Sequence, residues 1–190
     1  MSRFFAVAKG FEDRGVNLPK RSTEFSAGYD IEALEDTVVP SVWKNYTDTL
    51  KRIPTHAYIE TDDSELEGLF APEYFTTLPS NQKGAFKPTL VATGIKANME
   101  EDEVLYLYNR SSNPKKGLIL ANGVGVIDKD YFENPDNDGH FFFPFLNFGE
   151  EDYVIKKGDR VGQGVFSKYL MVNDDNATGK RNGGLGSTGV

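Results

Sequence analysis

Short apolar and aromatic runs alternate with turn-forming residues along most of the chain. Arg3 to Lys9 opens with aromatic and branched residues, and Thr89 to Ile95 follows Pro88. Glu103 to Tyr108, Val124 to Ile127, Phe141 to Leu146 and Val161 to Tyr169 have the same character. Such residues suit a pleated, half-buried surface. Between them, Asn113-Pro114, Asn122-Gly123, Asn134-Pro135, Asp138-Gly139 and Lys157-Gly158-Asp159 supply turn chemistry. The pattern predicts an all-β fold, an antiparallel sandwich or jelly roll of short strands. One region breaks it. From Ser41 to Ile53 the apolar residues Trp43, Tyr46, Leu50 and Ile53 recur at helical spacing, after Pro40 and a Ser41 cap. Ser64 to Phe70 is also compatible with a helix, so residues 36–87 read as a partly helical insertion whose aromatic stripe serves packing.

Composition narrows the chemistry. At 190 residues the chain suits one domain with a proper core. It has no run of 18 apolar residues, so no membrane span is expected, and its start lacks the apolar core of a secretory signal. A cytoplasmic location is the expectation. Cysteine is absent, which removes disulfides, thiolate nucleophiles and cysteine-bound zinc. His56 and His140 are the only histidines, so a histidine-rich metal cluster is not expected; a metal here would be hard and oxygen-bound, such as Mg2+. A net charge of −8 argues against direct nucleic-acid binding, which needs a basic footprint. It leaves room for a nucleotide held by a few local cations.

Five short segments carry the candidate chemistry. Ser26-Ala27-Gly28-Tyr29-Asp30-Ile31 combines small residues with one carboxylate. Tyr108-Asn109-Arg110-Ser111-Ser112-Asn113 places a guanidinium and two hydroxyls at a strand end, suited to anionic oxygens. Asn122-Gly123-Val124-Gly125-Val126-Ile127-Asp128-Lys129-Asp130-Tyr131 reads as a tight turn, a short buried strand, then an acid and an aromatic in the following loop. Gly158 to Phe166 holds Gln163. The tail, residues 179–190, is too rich in glycine for a stable helix or central strand. Its amides, its Ser187 and Thr188 hydroxyls and the Lys180-Arg181 charges suit closure over an anion. Residues 1–178 are therefore read as one β domain followed by a mobile tail.

In order and spacing these segments resemble the five signature segments of the trimeric dUTPase family, over about two-thirds of the chain. The third segment is the most specific. The resemblance implies a β-clip or jelly-roll fold and a homotrimer with three composite sites, each tail lying across a site built by other subunits. It implies hydrolysis of dUTP to dUMP and pyrophosphate, which limits uracil incorporation into DNA and supplies dUMP. By the same resemblance Asp30 holds a water on the Mg2+ that rides the triphosphate. Ser111, beside Ser112, touches phosphate while Arg110 braces the site. Asn122, with the backbone of Val126, Ile127 and the region of Phe142, reads the uracil. Asp128 orients and deprotonates the attacking water, and Tyr131 packs on the sugar, leaving no room for a 2′-hydroxyl. Gln163 contacts phosphate, and Gly186, Ser187 and Thr188 wrap the β- and γ-phosphates with Lys180 or Arg181.

Departures from the family pattern matter too. Leu185 stands where a phenylalanine usually stacks on uracil, so base stacking is expected to be weaker. Ser112 replaces the usual glycine, and Lys180 and Arg181 compete for the place of the tail arginine. Phe132 to Asp138 expands the chain after Tyr131; inserts of this sort are similar to those of bacteriophage or prophage members. Two alternatives stand beside this reading. One is a dCTP deaminase or bifunctional dCTP deaminase/dUTPase, which shares an Arg-Ser-Ser segment. The other is a nucleotide-gated regulatory binding protein that meets a protein partner at the insertion.

Overall fold

The computed structural model describes residues 3–44, 87–179, 181, 183 and 184. Twelve strands among these carry the fold. They are β1 (Phe4–Val7), β2 (Lys20–Arg21), β3 (Tyr29–Glu32), β4 (Thr37–Val39), β5 (Thr89–Ala92) and β6 (Ile95–Asn98). β7 (Glu103–Asn109), β8 (Leu118–Leu120), β9 (Gly125–Ile127), β10 (Phe142–Asn147), β11 (Tyr153–Ile155) and β12 (Arg160–Lys168) follow. The largest sheet has the order β2-β3-β12-β7-β9, and β5-β10-β8 forms a second. β1 pairs with β6, and β4 with β11. All these pairings are antiparallel. This is the all-β architecture that the strand pattern predicts.

Alternation along β10 shows how the pattern becomes a core. Phe143, Phe145 and Asn147 point inward and are fully buried, whereas Phe142, Pro144 and Leu146 on the other face stay half-exposed. The inward rings meet Ile31 from β3, Leu105 and Leu107 from β7 and Ile155 from β11 in one cluster. Two expectations change. The run Thr89 to Ile95 is not one strand: β5 ends at Ala92, and β6 leaves it to pair with β1. At the break, the backbone N–H groups of Thr93 and Gly94 donate to Nε2 of buried His140 at 3.2 and 2.8 Å.

The second change concerns residues 36–41. Thr37–Val39 is a framework strand paired to β11, and the Asp36 carboxylate accepts from Lys156 Nζ and Lys157 N–H. Ser41 is fully buried, donating its hydroxyl to Gly149 O at 2.6 Å. The chain departs from the framework beyond Ser41, through the helical residues 42–44, with the Trp43 indole donating to Phe148 O. The expected helical continuation through Tyr46, Leu50 and Ile53, and the run Ser64 to Phe70, lie outside the described residues.

Candidate active site

The third segment folds with the expected turn, strand and acidic loop, but as an edge strand: of β9 only Gly125 is buried, while Val126 stands exposed beside the cavity. Gly123 N–H closes on Leu120 O at 3.0 Å, and β9 then pairs with β7 in the register Leu107↔Gly125, Tyr106↔Val126, Leu105↔Ile127. A single 3-10 turn, Lys129–Tyr131, follows. Asp128 precedes that turn in an extended conformation and makes no capping hydrogen bond with its side chain. Its carboxylate is therefore left available for other work. Lys129 donates to Asn98 Oδ1 at 2.7 Å, which pins the turn to β6.

This geometry opens a cavity of about 250 Å3 lined by Asn122, Val126, Ile127, Asp128, Tyr131 and Phe142, with Leu107, Gly125, Phe141, Pro144, Arg181 and Gly184 completing the wall. Seven of the residues singled out from the sequence thus converge: Asn122, Val126, Ile127, Asp128, Tyr131, Phe142 and Arg181. Tyr131 is buried, and its hydroxyl donates to His140 O at 3.2 Å. Apolar side chains of Leu107, Val126, Ile127 and Phe142 share the wall with the polar groups of Asn122, Asp128 and Arg181, a mixture that can hold a planar ligand and orient it by a few polar contacts.

The tail meets this cavity through the same chain. Arg181 pairs with Asp128 and donates from Nε to Asp130 at 2.8 Å, with its guanidinium 5.8 Å from the Tyr131 ring centroid. Gly184 lies so close to that ring that a Cβ there would sit 2.6 Å from Cε2, and only glycine fits. Within this single chain Arg181 and Gly184 thus lie against the cavity formed by its own β9 and the turn after it. The exposed connector Tyr169–Gly179, at roughly 3.3 Å per residue, is long enough to turn back. Lys180, Leu185, Gly186, Ser187 and Thr188 lie outside the described residues.

Asp30, Arg110, Ser111, Ser112 and Gln163 do not line this cavity. They gather elsewhere on the five-stranded sheet, where β3, β12 and β7 lie side by side. Gln163 on β12 stands opposite Asp30 on β3 and Tyr108 on β7. The Asp30 carboxylate accepts from Ser22 Oγ at 2.5 Å and Arg160 Nη1 at 3.1 Å, with Arg110 Nε at 3.4 Å. Burial pushes this carboxyl up, but the hydroxyl and the two guanidiniums outweigh it and hold it below its ordinary value. A cavity of about 350 Å3 opens here between Lys20, Arg21, Ser22, Asp30, Glu32 and Arg160. Gly28 leaves room for the Gln163 side chain; a Cβ there would stand 2.2 Å from Oε1. Ser111 is exposed and Ser112 half-buried, on the turn after β7.

Sequence reading missed several supporting residues. Asn113 is buried and donates to both Asn109 Oδ1 and Val161 O, locking the Arg110-Ser111-Ser112 turn onto β12. Arg160 and Ser22 hold Asp30. Asn113 and Arg160 lay within recognised segments, the first as the end of the Arg-Ser-Ser turn and the second as the basic residue of an ordinary-looking Gly-Asp-Arg turn; Ser22 lay in none. No group of three or more His, Asp or Glu side chains suited to a metal occurs among the described residues.

An all-β chain with a pocket bearing one carboxylate and a separate group of guanidiniums is an arrangement suited to an anionic ligand with a planar part. Comparison with known proteins gives the family. The family model for dUTPase matches residues 76–189. The deoxyuridine 5'-triphosphate nucleotidohydrolase of Lactococcus lactis is 45% identical over 99% of this chain and 98% of its own length. That of Desulfitobacterium hafniense is 31% identical over 94% and 91%. Among solved structures, the dUTPase from Streptococcus mutans superposes with a TM-score of 0.63 at 34% identity, over 90% of this chain and 98% of that one. The dUTPase of Staphylococcus aureus phage phi11 shares the fold, with a TM-score of 0.58 at 14% identity over 94% and 97%. The chain belongs to the dUTPase family. Near-complete coverage by the Lactococcus protein means that the stretch between Lys44 and Lys87 has a counterpart there.

Proposed function

We propose that this dUTP nucleotidohydrolase cleaves dUTP to dUMP and pyrophosphate by attack of water on the α-phosphorus. The observation that carries the proposal is Asp128: a carboxylate without capping duty at the mouth of a pocket walled by Asn122, Val126, Ile127, Phe142 and Tyr131. Asp128 holds the water and takes its proton, and Tyr131 backs the sugar. Phe142 and the β9 backbone frame the base. Arg181 occupies the position that attacking water needs at Asp128, so the tail shifts its guanidinium from carboxylate to phosphate when substrate enters.

The basic patch around Asp30, Arg110, Arg160 and Gln163 would hold the triphosphate of a nucleotide seated in a neighbour's pocket. Residues for one site split into two groups on one chain fit a homotrimer with composite sites. The described donor set offers no all-protein metal cage, and Asp30 already serves two guanidiniums and a hydroxyl. It suits a Mg2+ held chiefly by the phosphates and met by Asp30 through water, since this ion keeps several of its waters. Bound there, Mg2+ would neutralise charge on the phosphates; Arg110 and Arg160 add to that on the protein side. No helix among the described residues is long and apolar enough to cross a membrane.

Pyrophosphate release across the deoxynucleoside triphosphates, with and without Mg2+, tests the proposal. Release from dUTP alone, lost on chelation, is the expected result. Ammonia release from dCTP would instead favour the deaminase reading.

A further inference from the structure

Between Tyr131 and Gly139 the chain carries the expansion Phe132 to Asp138, and the structure ties it down closely. The Asp138 carboxylate accepts from Lys9 N–H and from Lys96 Nζ, each at 2.7 Å. Phe132 packs edge-on against Phe4, with centroids 5.7 Å apart, and carries the Lys96 ammonium on its face. Glu133 and Asp138 adopt φ of 59° and 60°, a left-handed backbone that costs energy without glycine. Asn137 Oδ1 accepts from Gly139 N–H at 3.1 Å, which turns its amide nitrogen toward Tyr131. Nδ2 then donates to the Tyr131 hydroxyl at 2.7 Å and to His140 O at 3.0 Å. The hydroxyl itself donates to His140 O, so its donor and acceptor roles are both filled.

We propose that this expansion is a positioning device for Tyr131, with Asn137 fixing the ring so that the sugar side of the pocket refuses a 2′-hydroxyl. The inference rests on the dUTP reading above. Rejection by steric overlap is only as strict as the ring is stiff, because a ring that yields about 1 Å admits the extra oxygen. Tyr131 is held at its backbone by the 3-10 turn it closes, its N–H donating to Asp128 O at 3.1 Å, and at its far end by the Asn137–His140 tether. Gly184 closes one ring edge. Cutting the tether leaves the ring in place but free to swing. Asn137 thus acts through Tyr131 and is a positioning residue, placed on a segment outside the five that carry the chemistry.

The test compares the parent with Asn137→Ala, Tyr131→Phe and the double variant, in turnover of dUTP and UTP and in equilibrium binding of dUMP and UMP. Each single variant is expected to raise the UTP-to-dUTP ratio of kcat/KM about tenfold. The gain should come mainly through KM for UTP, and in Asn137→Ala kcat for dUTP should stay within about threefold of the parent. The double variant should go no further, because both singles cut one tether. The dUMP-to-UMP binding ratio should narrow by the same factor. Unchanged ratios in folded single variants, or fully additive effects in the double, would overturn the inference. Should Asn137→Ala fail to fold, an unchanged ratio in Tyr131→Phe alone overturns it. A parent inactive on dUTP would sink the activity reading, and the binding ratios would then decide this one.

Discussion

His140 makes the fold sensitive to acid by an amount the structure allows to be worked out. Its ring is 3% exposed, packed between Phe11 and Phe142 at centroid distances of 4.6 and 4.2 Å. Nε2 accepts two backbone N–H bonds, so the folded state needs the neutral ring with its proton on Nδ1. Burial pushes the imidazole from 6.5 down to about 4. Proton uptake therefore favours the unfolded chain: the His140 contribution is complete above about pH 6.5 and is lost as pH falls toward about 4. At about 1.4 kcal/mol per pH unit the total is about 3 kcal/mol, of which about 2 is gone by roughly pH 5. His140→Gln keeps an acceptor near the same place but does not titrate. The variant should be less stable near neutrality, since its stacking is lost. Its deficit against the parent should shrink by about 2 kcal/mol between roughly pH 7.5 and 5. Urea unfolding at fixed protein concentration measures this. Parallel stability curves for the two proteins across that range would refute the reasoning and return the acid sensitivity to other groups.

Three further outcomes are expected. Asp128→Asn should cut kcat by roughly 10²–10⁴-fold while dUTP still binds, read by steady-state turnover alongside calorimetry; near-normal turnover would move the base to Asp130. Gly28→Ala should displace the Gln163 amide, lowering kcat/KM for dUTP about tenfold with a melting temperature within a few degrees of the parent, because the crowded atom is the end of a flexible side chain. Removal of Gly179 to Val190 should leave a folded protein with strongly reduced kcat, whereas Leu185→Phe should tighten dUTP binding by about 0.5–1.5 kcal/mol through ring stacking. Intact turnover after truncation would make the tail a bystander.

The longer strands were legible along the chain because their side chains alone specify them. β7 and β10 are runs of branched and aromatic residues, and β12 combines two valines and a phenylalanine with glycines and polar residues. β2, β3, β4, β8 and β11, of two to four residues, were not, since such short segments become strands only when a partner supplies their hydrogen bonds. The split of Thr89 to Ile95 into two strands is likewise imposed from outside, by a histidine some 46 residues away. The same division runs through the site. Asn122 to Tyr131 is contiguous, so its turn, strand and acid follow from local chemistry. The hold of Arg160 on Asp30 spans 130 residues, and that of Arg181 on Asp128 spans 53. Asn137 lies only six residues from Tyr131, yet its role depends on how a loop with two left-handed residues folds back. Residue type and spacing determined which groups could do chemistry here. Which of them meet was decided by the sheet, because hydrogen bonds and ion pairs act over a few ångströms and only the folded chain sets those separations.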